Sequence, residues 1–103
     1  MNYRIEYTDR AEEDIFRNAS WWAERHSLDQ ASEFLDVVRK QISTLADMPG
    51  RFGFAYENDK FEIEIRQMTV GLGPRPSYRA IYTIRDSEVV ILAVRRGAQD
   101  EYG

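Results

Sequence analysis

The chain has 103 residues, 43% hydrophobic and 31% charged, with no cysteine and a single histidine, His26. That balance belongs to a folded domain and not to a disordered tail, and it excludes disulfides, zinc–thiolate sites, iron–sulfur clusters, thiol nucleophiles and two-histidine zinc motifs. A net charge of −4 argues against a protein that coats nucleic acid indiscriminately. No apolar run approaches the ~18 residues of a membrane span, and Met1-Asn2-Tyr3-Arg4 does not open a signal peptide. The expectation is one cytoplasmic domain over residues 1–103, with no cofactor, no metal and no membrane partner.

In chain order, Tyr3, Ile5 and Tyr7 alternate with Arg4 and Glu6, the period of a half-buried strand. Asp9 with Glu12 reads as a capping box opening a helix whose apolar stripe is Ala11, Ile15, Ala19 and Trp22, widened by Phe16 and Ala23. That helix should end near Arg25-His26. Ser27 with Gln30 reads as a second capping box, and Ala31, Phe34, Leu35, Val38, Ile42 and Leu45 follow at helical spacing until Met48-Pro49-Gly50. Two amphipathic helices with so short a break pack as an antiparallel hairpin. Residues 51–60 lack a period and read as a loop. Strands are predicted over Phe61–Val70, Tyr78–Arg85 and Glu88–Arg95, the last apolar on both faces and therefore central. The predicted fold is α+β, in the order β-α-α-β-β-β, with the helical hairpin on one face of a small antiparallel sheet.

The net charge hides a division. The first 47 residues are acidic on balance, whereas the window 66–96 holds six arginines against only Asp86 and Glu88. Arginine presents a rigid fork of donors suited to phosphate and carboxylate. In an antiparallel meander Arg66 and Arg79 could approach each other, and Arg95 and Arg96 should lie beside the start of the second strand of the meander. Four guanidiniums at one end of a sheet repel one another unless an anion or acidic partner joins them; the plain alternative is a solvated, ion-paired face. Trp21 projects about 100° from the apolar stripe, toward the flank or a contact surface.

Other groupings carry less. The glycines of 71–77 are followed by a strand and lack a Gly-Lys-Ser/Thr ending, so they form a connection and not a phosphate loop. Glu62/Glu64 and Glu12/Glu13 read as solvated carboxylates. His26 fits a helix C-terminus, where the dipole favours it.

Taken together, the strand followed by Asp9-Arg10-Ala11-Glu12-Glu13-Asp14-Ile15, the run Trp21-Trp22-Ala23-Glu24-Arg25, and Leu45-Ala46-Asp47-Met48-Pro49 resemble a known pattern. So do Ile65-Arg66, Tyr78-Arg79-Ala80-Ile81-Tyr82 and the tail Arg95-Arg96-Gly97-Ala98-Gln99-Asp100. The pattern is that of the RelE/ParE superfamily, toxins of bacterial type II toxin–antitoxin pairs often labelled plasmid stabilisation proteins. The resemblance implies a cognate antitoxin as partner, leaves a homodimer open, and offers two activities. ParE-like members bind and poison DNA gyrase, with Trp21, Arg66, Arg79, Arg95 and Arg96 as candidate target- or antitoxin-binding residues. RelE-like members are ribosome-dependent mRNA endonucleases, for which Arg66, Arg79, Arg96 and Tyr102 would be the catalytic candidates. Gly97 stands near the place where the nucleases carry an arginine, and the acidic pI near 5.0 suits a protein working within rRNA poorly. The reading favoured is therefore the gyrase-binding one, with the mRNA interferase, or an inactive partner-binding module, as alternatives.

Overall fold

The computed structural model describes residues 2–103. Strand β1 (Arg4–Tyr7) leads into helix α1 (Asp9–Arg25), helix α2 (Leu28–Ser43), and strands β2 (Arg66–Val70), β3 (Tyr78–Arg85) and β4 (Glu88–Arg96). Short 3-10 turns lie at Thr44–Ala46, Pro49–Arg51 and Asn58–Lys60. The α+β class and the order of elements are as expected. The sheet runs β1-β4-β3-β2; β2, β3 and β4 form the antiparallel meander, while β1 joins β4 in parallel, so the sheet is mixed. The parallel pairing follows from the hairpin: two helices carry the chain across one face and return it, so β1 can join the far edge of the meander.

Helix α1 starts one residue earlier than the capping-box pattern suggests. Thr8, with extended backbone, is the cap: its Oγ1 accepts from the Ala11 N–H (3.1 Å) and donates to the Ile91 carbonyl (3.0 Å), ending β1 and starting α1 at one point. Glu12 is thereby displaced from the reciprocal position and pairs instead with Arg39 of α2 at 2.6 Å. Ser27 caps α2 as expected, accepting from Gln30 N–H. Phe16, expected to widen the stripe, is 59% exposed, because the sheet lies against the Ala11–Ile15–Ala19 side.

The main core fills the space between the hairpin and one sheet face, with Ile15, Phe34, Val38 and Ile42 against Tyr82, Val89 and Ile91. A smaller core, Ala55, Ile65, Ile81 and Ala93, lies on the other face, closed by Phe61, Leu92 and Tyr102. The loop 51–60 and the C-terminal tail thus cover the face without helices, which is why β4 is apolar on both sides. Strand β2 is half the length its alternation predicts. Asn58 Oδ1 accepts the Ile65 N–H (2.8 Å) and the Ile65 carbonyl accepts from Ala55, so residues 61–65 leave the ladder and Ile63 is 53% exposed.

Candidate functional site

Arg79 is buried with Glu57 on the face without helices, and every nitrogen of its guanidinium is engaged. Nη1 and Nη2 each donate at 2.8 Å to one oxygen of Glu57, Nη1 also donates to Gln67 Oε1, Nε to the Gly97 carbonyl, and Nη2 to the Asp100 carbonyl. The Tyr102 N–H donates to Glu57 Oε2 (3.0 Å), and Tyr102 stacks on Phe61 with ring centroids 5.2 Å apart. One arginine therefore binds the 51–60 loop, β2 and the C-terminal tail to the sheet. Arg79's paired hydrogen bonds pull the Glu57 carboxyl down to about 2, against the upward push of burial. A fork–fork pair is the strongest form of carboxylate binding, and it leaves Arg79 no donor for an incoming anion.

The expected gathering of four arginines does not occur. Arg95 and Arg96 do lie beside the start of β3, in register with Arg79 and Tyr78. Arg66, however, pairs with Tyr82 while Arg79 pairs with Thr69, three positions further along. That offset is about 10 Å along the strands. Being odd, it also sends the two side chains to opposite faces. Arg66 lies on the helical side, stacked over Phe54 (4.7 Å) and donating to the Phe52 carbonyl at 2.5 Å. Arg95 is nearly buried between Asp14 (3.4 Å) and Asp100 (3.5 Å), with Tyr102 near its guanidinium. The expectation fails on register: Val70 pairs with Tyr78 across the 71–77 connection, so Arg66, four residues before Val70, sits at the end of β2 away from Arg79.

Arg96 is the exposed member of the set. Its guanidinium lies 4.7 Å from the Trp21 ring centroid, with Arg25 on the same indole at 5.6 Å. Among the described residues it has no carboxylate within ion-pair distance. Trp21 is half-buried on the flank, as its position off the stripe implies, and meets Trp22 edge-on. With Arg17, Tyr78 and Glu24 these two residues line a shallow concavity of about 370 Å³. The four candidate nuclease residues are thus distributed over both faces: Arg79 and Tyr102 on one, Arg66 and Arg96 at separate ends of the other. Among the described residues no group of three or more His, Asp or Glu is placed to hold a metal ion, and no helix is long and apolar enough to cross a membrane.

Sequence reasoning missed two polar devices. Glu57, in the aperiodic loop, offered no signal. Asp14 and Asn18 did, because they occupy the Ala11-based stripe at positions that should be apolar. Where β1 ends, α1 takes over the free edge of β4: Asp14 Oδ2 accepts the Val94 N–H (2.9 Å), and Asn18 donates to the Val94 carbonyl (3.3 Å). An edge strand's backbone groups are satisfied by a helix in place of a neighbouring strand.

Fold and site together define a small α+β domain, a helical hairpin on a mixed sheet with a clasped tail. The family model for the ParE toxin of the type II toxin–antitoxin system, parDE, matches residues 5–101, and the chain belongs to that family. Among solved structures, a chain described as the chromosomal ParDE TA system from P. aeruginosa has the same fold, with a TM-score of 0.73 at 17% identity, over 92% of this chain and 96% of that one. A search of curated proteins finds no match.

Proposed function

We propose that this ParE-family toxin arrests growth by binding DNA gyrase in the cytoplasm, with no bond-breaking step of its own, and that a cognate antitoxin neutralises it. The observation that carries this reading is the dispersal of Arg66, Arg79, Arg96 and Tyr102. Phosphate cleavage needs its charge-stabilising and proton-moving groups within reach of one scissile group. Here Arg79 is consumed by Glu57, and Arg66 projects from the opposite face. Gly97 adds to the case: its φ of +68° is a left-handed conformation, in which an arginine would be strained. Arg96, without an ion-pair partner among the described residues and braced on Trp21, suits a protein contact, since an arginine held against an aromatic loses little freedom on binding.

The discriminating experiment is pulse labelling after tightly controlled induction in bacteria, following thymidine and leucine incorporation in parallel. Gyrase poisoning predicts that thymidine incorporation falls first. An early collapse of leucine incorporation would replace this reading with mRNA cleavage, and unchanged incorporation of both would mark an inactive, partner-binding member.

A further inference from the structure

Strand β3 runs three residues beyond the point where β2 begins. The Gln67 N–H bonds to the Gly53 carbonyl and the Ile65 carbonyl accepts from Ala55, so these groups point away from β3. Arg66, Met68 and Val70 therefore turn their backbone groups to Tyr82, Ala80 and Tyr78. Two residues past Tyr82, Ile84 turns its N–H and C=O to the same edge, where β2 no longer runs. The chain leading into β2 crosses there, and Thr83 Oγ1 donates to the Glu64 carbonyl at 2.9 Å.

A groove of about 550 Å³ lies along this open edge, lined by Ile63, Glu64, Arg66, Thr83, Ile84 and Arg85. Ile63 is 53% exposed, and neighbouring Phe54, under the Arg66 guanidinium, is 51% exposed. Among the described residues neither Arg66 nor Arg85 has a carboxylate within ion-pair distance. An unpaired strand edge, apolar side chains beside it and two cations without counter-charges are three independent signs of one kind of occupant.

We propose that this groove takes an extended segment of the antitoxin, which pairs with Ile84, lays an apolar residue on Ile63 and Ile84, and offers carboxylates to Arg66 and Arg85. A second copy of this chain fits less well, because self-pairing would bring four unpaired arginines to one seam. The proposal rests on the toxin–antitoxin reading above.

The test uses the whole chain and the purified product of the gene beside its own. Amide hydrogen exchange at Ile84 is followed with and without that protein, and affinity is measured for Arg85→Glu and Ile63→Asp. Both side chains are exposed, so thermal melts should match the parent. Arg75→Glu, at the other end of β2, is the charge-matched control. We expect Ile84 exchange to slow at least about tenfold on binding, and each groove variant to lose about tenfold or more in affinity, with the control within about twofold. Binding with unchanged Ile84 exchange and unaltered variant affinities would overturn the groove and leave the antitoxin reading standing. No binding by the parent chain would overturn that reading and the groove with it.

Discussion

Replacing Glu57 by glutamine isolates the contribution of the buried clasp. The substitution keeps the shape and one acceptor for Arg79, but removes the charge that balances a guanidinium only 4% exposed. It also removes the acceptor shared by Arg79 Nη2 and the Tyr102 N–H. Breaking one side of a buried ion pair costs about 3–5 kcal/mol. The surviving acceptor places Glu57→Gln at the lower end, about 3 kcal/mol, and for a domain of this size that corresponds to a fall in Tm of roughly 12–24 °C. The linkage argument gives a similar figure. Glu57 falls from an ordinary 4.5 to about 2, and a depressed carboxyl contributes stability that is fully present above its unfolded value and lost as pH falls through the folded one. The contribution is about 3 kcal/mol at neutral pH. The gap between parent and variant should therefore be widest above about pH 4.5 and close toward pH 2, as followed by circular dichroism melts across that range. A double variant, Glu57→Leu with Arg79→Met, removes both charges and should recover much of the loss. A fall in Tm of only ~4 °C for Glu57→Gln, or a gap that does not narrow in acid, would refute the claim that this pair fastens the tail and loop.

Three further outcomes follow from other parts of the fold. Thr8→Ala should cost about 1–2 kcal/mol in denaturant unfolding and Asp9→Ala distinctly less, because Thr8 makes the cap bond and the bond to Ile91. Asp14→Ala should cost about 2–4 kcal/mol and speed exchange of the Val94 amide, since it leaves a strand-edge N–H without its acceptor and takes from the nearly buried Arg95 guanidinium one of its two carboxylates. Tyr82→Phe should cost about 1–2 kcal/mol by stranding the Pro49 carbonyl, now bound at 2.6 Å, and should remove from an absorbance titration the phenol that burial pushes up to about 12.

The helices are legible in the sequence because their faces repeat at 3.6 residues and Ser27, Pro49 and Gly50 punctuate them; the class and order of the fold follow from that. Central β4 is legible because both its faces are apolar. The length of β2 is not. Alternation over Phe61, Ile63 and Ile65 shows that side chains take opposite directions, but not that the backbone has a neighbour to pair with. Asn58 and Ala55 claim the Ile65 backbone instead. The placing of Arg66 fails for a separate reason: the 71–77 connection sets Val70 opposite Tyr78, which puts Arg66 opposite Tyr82 and three positions from Arg79 whatever the length of β2. Arg79's role is hidden for a different reason: its partner, Glu57, lies 22 residues earlier in a loop without periodicity, and no local pattern links the two. That Arg95 and Arg96 lie near the start of β3 is legible from the two-residue turn at Asp86-Ser87, but their partners are not: the turn alone would set Arg95 opposite Tyr78, and a bulge facing Ile81 and Tyr82 shifts the register by one, so that Arg95 meets Arg79.

The most direct test of the central claim is a supercoiling assay with purified gyrase, relaxed plasmid and increasing amounts of this chain. Binding without chemistry predicts that supercoiling is lost or cleaved DNA accumulates in proportion to the protein added, that adding the antitoxin restores activity, and that Arg96→Glu or Trp21→Ala weakens the effect. Gyrase that works unimpaired in excess toxin, together with cleavage of ribosome-bound mRNA by the same preparation, would contradict it.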